Sequence, residues 1–255
     1  SVLMSVNITL RKIYTFAATF LVAGGAAYAN NTHGNHIDRF DSFFELRKEF
    51  TEDRDFRVAA ILRRSPILVL AIHGGNIEPG TSELADLIAG GEHSLYKFES
   101  LLPEEPAWDH HVPSTLFDEP RALEMLERAS TSVSVHGFYW FGNPIENERA
   151  TVILGGQNSL LRDKIAARLE DFAERTMPSL HILPWEEARK FAGMHPRNIV
   201  NRTAQQGVQI ELSRSLRKIF MDHPELAKSF ARSVRLAIDA HRKSGFCKEL
   251  FNETF

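Results

Sequence analysis

The chain has 255 residues, of which 43% are hydrophobic and 25% charged. That is enough to bury a full core, and no Pro/Gly/Ser-rich linker divides it, so one domain is expected. A formal net charge of −3 argues against a general nucleic-acid or membrane-surface binder. The one cysteine, Cys247, rules out an intrachain disulfide framework and a cysteine-based metal site.

In chain order, Arg11 and Lys12 precede an apolar run that closes on the small-residue pattern Ala27-Tyr28-Ala29. This reads as a secretory signal peptide over residues 1–29. The expectation is an exported protein of residues 30–255 with no stable membrane association after cleavage. "DRFDSFFELRKEF" has helical apolar spacing; "FRVAAIL" and "PILVLAIH" read as strands, the second buried on both faces. "TSELADLIAG" is expected to be a helix capped by Thr81 or Ser82 and stopped at Gly90-Gly91. "SLYKFES", "TSVSVHG", "TVILGG", "LHILP" and "GVQIELS" read as further strands. Helices are expected at "DEPRALEMLERA" (Asp118 as cap), from Asn158 to about Arg175, at "EEARKFAG", and from Asp222 to about Ser244 with Gly245 as stop. This alternation predicts an α/β three-layer sandwich around a mixed, largely parallel sheet, with a ligand site beyond the carboxyl ends of the strands.

The loop "HGGNIEPGTSEL" follows the buried strand. Its glycine spacing suggests a phosphate cradle, but Thr81 stands where that motif needs lysine, and Glu78 puts a negative charge in the loop. A cation suits it better. His73 and Glu78 can converge because Gly74 and Gly75 permit a sharp turn, and imidazole plus carboxylate suits Zn²⁺. A catalytic zinc takes three protein ligands, so a third is required. His136 also ends a strand and is also followed by glycine, which makes it the candidate; the alternative is a hydrogen-bonded strand-end histidine. Glu211, a carboxylate within a strand that reads as buried, is the candidate general base, against the alternative of a structural ion pair. Between Arg189 and Lys218 seven basic residues accompany only this one acidic residue, which points to an acidic substrate. Arg202 is expected to clamp a substrate carboxylate and Asn201 to supply a hydrogen bond. Arg189, Lys190, Arg217 and Lys218 read as solvated helix flanks, and His93, His110 and His111 as solvated loop residues. His195 reads either as a residue lining the site or as part of the loop structure.

"HGGNIEPGTSELA", "STLFDEPRALE", "SVHG" and "HPRNIVNRTAQQGVQIELSRSLR" resemble the poly-γ-glutamate hydrolase family, zinc enzymes of bacteria and their phages. The likeness runs from about Phe40 to Arg217. It implies a zinc-carboxypeptidase-like fold, one zinc per chain on His73, Glu78 and His136, Glu211 as catalytic carboxylate, and a γ-glutamyl amide substrate. Asn76 stands where the family loop usually has a third glycine, and Met194 and Val200 where Thr and Cys are usual. The expectation is an exported, monomeric zinc amidohydrolase acting on poly-γ-glutamate. The alternatives are the same chemistry on peptidoglycan stem peptides, or a non-catalytic exported protein that binds zinc or a polyanion.

Overall fold

The computed structural model describes residues 38–140 and 143–252, with residues 144, 145 and 245–252 described by backbone only. The leader expected over residues 1–29 lies outside them. The elements are α1 (Phe43–Glu49), β1 (Phe56–Ile61), β2 (Ile67–Gly75), α2 (Thr81–Ala89), β3 (Ser94–Ser100), α3 (Glu104–Ala107), α4 (Pro120–Arg128) and β4 (Thr131–Phe138). They continue with α5 (Pro144–Glu148), β5 (Thr151–Gly155), α6 (Ser159–Thr176), β6 (His181–Pro184), β7 (Gly207–Ser213), α7 (Arg214–Asp222) and α8 (Pro224–Asn252). The seven strands form one sheet in the order β1-β3-β2-β4-β7-β5-β6. β1/β3 and β5/β7 are antiparallel and the other four pairings parallel. The mixed, largely parallel α/β fold is the one expected.

Strand periodicity explains the layers. Ile67, Val69 and Ala71 of β2, Val133 and Val135 of β4, and Val208, Ile210 and Leu212 of β7 share a cluster with apolar residues of α2, α6 and α8. Leu68, Leu70 and Ile72 point the other way, into a cluster with Phe43 and Leu46 of α1 and Ala122, Met125 and Leu126 of α4. Both faces being covered, β2 needs no polar alternation. Among the described residues no helix is long and apolar enough to cross a membrane.

Several local expectations are corrected. Gly80, at φ 94°, caps α2, while the expected caps turn back onto the preceding loop. Thr81 Oγ1 donates to the Glu78 carbonyl at 2.8 Å, and Ser82 Oγ accepts from the Gly75 amide at 3.2 Å. Glu119 rather than Asp118 caps α4, accepting from the Ala122 amide, and Asp118 instead accepts from the Phe43 amide at 2.6 Å. "EEARKFAG" forms two 3₁₀ turns, Trp185–Glu187 and Arg189–Phe191, in place of a helix. Its carbonyls are taken by long-range donors, Gly156 N to Ala192 O and Gln209 Nε2 to Phe191 O, so tertiary contacts override helix propensity. Helix α7 was not anticipated as a separate element, and α8 runs through Gly245.

Candidate active site

The site sits at the carboxyl ends of the parallel strands β2, β4 and β7. On β4 and β7, His136 and Glu211 are direct register partners, and both face away from the α2/α6/α8 cluster. Strict alternation on β2 would put His73 on the opposite side, with Val69 and Ala71. The β2/β3 register slips between Ala71 and Gly74, so Ile72 and His73 oppose the single residue Phe98. This bulge re-aims the chain so that His73 turns toward His136. Gly74 and Gly75 make the exit possible: a Cβ on Gly74 would lie 2.2 Å from Ser82 Oγ, and Gly75 has φ +61°. Asn76, in place of the usual glycine, ties the loop down by donating to the Leu102 carbonyl at 2.7 Å.

The structure brings His73, Glu78 and His136 together, all buried. His73 Nδ1 is 3.0 Å from Glu78 Oε1 and 3.2 Å from His136 Nδ1, and His136 Nδ1 is 3.7 Å from Glu78 Oε2. His73 Nε2 donates to the Val112 carbonyl at 2.9 Å, and His136 Nε2 is 2.7 Å from Ser134 Oγ. A carbonyl only accepts, so the proton of a neutral His73 lies on Nε2 and its Nδ1 presents a lone pair. Electron-rich atoms converging in a buried site are stabilised by a positive charge between them, a metal ion or a shared proton. Tetrahedral zinc with bonds of ~2.0–2.1 Å separates its ligand atoms by about 3.3 Å, which matches the observed spacing. The outward nitrogens bonded to oxygen form the outer shell that orients such ligands. The donor set therefore fits a divalent cation.

The same groups perturb one another. Burial disfavours charge on His73, but the Glu78 carboxylate and its hydrogen bond prevail and hold the imidazole above its ordinary value. Burial also works against the Glu78 carboxylate; His73, His136 and Arg217 overcome this and hold it at about 2. Glu78 Oε2 accepts from the Gly137 amide at 2.7 Å.

Glu211 is buried, and Gln209 Nε2 donates to its Oε1 at 2.8 Å. Its Oε2 has no hydrogen-bond partner among the described residues. No salt bridge to Glu211 occurs among them, so the structural ion-pair alternative is not what is seen. Burial first, and then the charge of Glu78, raise its pKa well above the ordinary range. Arg217, expected in solvent, is instead buried; its Nη1 donates to the Pro79 carbonyl at 2.8 Å. Gly137 makes room for it, since a Cβ there would lie 2.4 Å from Arg217 Nε.

A cavity of about 240 Å³ opens onto His73, His136 and Glu211, and Gln209, Asn198 and His111 also line it. His111 is buried, contrary to expectation. It lies between the rings of Trp108 and His73, at 4.6 and 3.9 Å, and its Nδ1 is 2.5 Å from Asp38 Oδ1. His73, Glu78 and His111 each offer a ligand atom within 4.8 Å of the others; with Nδ1 of His111 held by Asp38, Nε2 is the atom it would offer. His93 and His110 are likewise buried rather than solvated, His110 against Phe50 and Phe56.

Asn201 and Arg202 do not line the cavity. Asn201 Nδ2 donates to the carbonyls of Gly193 and His195, and its Oδ1 accepts from the Gln157 amide. Its amide is therefore consumed in holding the 193–195 loop. The exposed Arg202 directs Nη1 to the Phe117 carbonyl at 3.4 Å. The cations that do line the cavity are Arg189 and Lys190. His111 was missed because a His-His pair in a Pro-rich stretch looks like a loop surface; Arg217 was missed because a basic residue flanking a helix reads as solvated. Gln209 was legible, standing two residues before Glu211 on the same strand face.

The sequence profile described as poly-gamma-glutamate hydrolase matches residues 40–239. UPF0714 protein YndL of Bacillus subtilis (strain 168) is 35% identical over 184 residues, covering 71% of this chain and 66% of YndL. The SPbeta prophage-derived UPF0714 protein YoqZ of the same strain is 32% identical over 183 residues, 71% of this chain and 61% of YoqZ. The chain thus spans somewhat under two thirds of the length of these curated relatives. Among solved structures, a bacteriophage poly-gamma-glutamate hydrolase superposes with a TM-score of 0.70 at 26% identity, covering 81% of this chain and 99% of that one. A zinc-free apo form of YndL gives a TM-score of 0.69 at 28% identity, with 79% and 98% covered. With a family match over most of its length and the same fold, the chain belongs to the poly-gamma-glutamate hydrolase family.

Proposed function

We propose that this protein is an exported zinc amidohydrolase that cleaves γ-glutamyl amide bonds of poly-γ-glutamate. The observation that carries it is the convergence of His73 Nδ1, Glu78 and His136 Nδ1 beside a cavity that also exposes Glu211. Family membership supplies the substrate class, and the leader-like segment before Asn30 supports export. A zinc ion on the three ligands would supply a Lewis acid for the scissile carbonyl, a lowered pKa for water at its open position, and the positive charge that favours ionised Glu211.

The chain's own groups supply the rest. Glu211, oriented through Oε1 by Gln209, takes a proton from the attacking water on Oε2 and delivers it to the leaving amide nitrogen. Gln209 also donates to the Phe191 carbonyl, and its Oε1 accepts from Asn198 at 2.9 Å, so the base and the adjoining loop form one hydrogen-bonded unit. Arg217 offsets the two buried carboxylates, Glu78 and Glu211.

The test is turnover of poly-γ-glutamate by zinc-loaded and chelator-treated protein with product sizing. Shortened polymer only from the zinc-loaded protein is expected. Zinc uptake without cleavage of any γ-glutamyl polymer would point to a binding protein instead, and cleavage of peptidoglycan stem peptides alone would change the substrate.

A further inference from the structure

We propose that Arg189 and Lys190 form a carboxylate-binding subsite on the cavity wall, which holds anionic groups of the substrate near the bond to be cleaved. The identity of those groups, the free α-carboxylates of a γ-linked glutamate chain, rests on the function proposed above; the anionic character of the ligand does not.

Both residues line the same cavity as Glu211, which among the described residues is the only carboxylate in that lining and is itself buried. Several exposed cations elsewhere are ion-paired, among them Lys48 with Glu45, Lys218 with Asp222 and Lys228 with Glu225, while others such as Arg202 lie away from the cavity. Arg189 and Lys190 have no carboxylate within ion-pair distance among the described residues. Two adjacent cations at the mouth of a cavity, in a protein of net charge −3, make a local field that favours an anion. Arg189 offers a fork suited to a carboxylate and Lys190 a point charge.

The wall is also built to hold its shape. Lys190 Nζ lies 5.0 Å from the centroid of the Trp140 ring and 4.6 Å from that of Phe191, which steers the ammonium without neutralising it. Partial burial lowers its pKa from the ordinary lysine value, and an anion would oppose that shift. Phe191 is fixed through its carbonyl to Gln209, and the next carbonyl, of Ala192, to the Gly156 amide at 2.8 Å. Gln157 Nε2 donates to the Met194 carbonyl and Asn201 to those on either side of it. Asn201 thus acts as a positioning residue for this wall.

Binding is measured in zinc-loaded Glu211→Gln protein, which leaves substrate intact. The probes are a short γ-linked glutamate oligomer with free α-carboxylates and the same oligomer as its methyl ester. Arg189→Ala and Lys190→Ala are each expected to weaken the acid oligomer about three- to tenfold, the double variant more, while the ester binds all forms alike. Arg189→Lys and Lys190→Arg should retain most of the affinity. With Glu211 intact, the double variant should raise KM and keep kcat. An acid oligomer bound as tightly by the double variant as by its parent, or a loss confined to kcat, would overturn the subsite. If the parent enzyme cleaves no γ-glutamyl polymer yet binds the acid oligomer in an Arg189- and Lys190-dependent way, the proposed function fails and the subsite stands.

Discussion

Arg217 links the two halves of the site at the residue scale. Its guanidinium reaches the Pro79 carbonyl, next to Glu78, and its Nε approaches the Leu212 carbonyl, next to Glu211, at 3.4 Å. Removing one partner from a buried charge cluster commonly costs 3–5 kcal/mol, because the remaining charges are left uncompensated. Arg217→Met should therefore lower stability by about 3 kcal/mol and loosen metal retention, and Arg217→Lys should recover part of both. Denaturant unfolding and zinc content after dialysis measure the two effects; a Met variant with unchanged stability and zinc content would deny Arg217 this role. The sequence marked His73, Glu78, His136 and Glu211 because each stands out against an apolar strand or a glycine turn. It did not mark Arg217, because a basic residue on an amphipathic helix looks the same whether its tip reaches solvent or a buried carboxylate. Arg202 was chosen for its chemistry alone, and chemistry without topology could not say which way it points.

One irregularity in β2 decides the geometry at the element scale. Without the slip between Ala71 and Gly74, His73 would follow Val69 and Ala71 to the helix-packed face, and His136 would lack its neighbour. The glycines after the bulge hold that exit open. Gly74→Ala would put a methyl 2.2 Å from Ser82 Oγ and 2.9 Å from the Phe98 carbonyl. It is expected to cost about 1–3 kcal/mol and to reduce zinc retention. Thermal unfolding and metal analysis check this, and a variant as stable and as metal-replete as its parent would show that the loop has more slack than these distances allow. Strand existence was legible here from apolar runs and turn residues. The bulge was not, because nothing in "ILVLAIHGG" distinguishes a slipped register from a regular one. The 3₁₀ turns at 185–191 were illegible for a related reason, their donors Gly156 and Gln209 lying far away in sequence.

For the whole molecule, topology does the assembling. β2, β4 and β7 are consecutive in the sheet, so residues from three distant segments end at one edge, where open α/β sheets place their ligands. The alternation of helices and strands was enough to predict that edge, and two independent lines of reasoning, spacing and family likeness, chose the same three ligands. What lay beyond the sequence was the path of the 104–117 and 185–202 loops, which determines that His111, Arg189 and Lys190 reach the cavity and Arg202 does not. The central claim is that Glu211 acts as base beside a metal held by other residues. It is tested most directly by purifying Glu211→Gln beside the parent protein and measuring zinc content and poly-γ-glutamate cleavage on the same samples. The account predicts equal zinc and a turnover lower by about 10²–10⁴-fold. Cleavage at the parent's rate by the zinc-replete variant would contradict it.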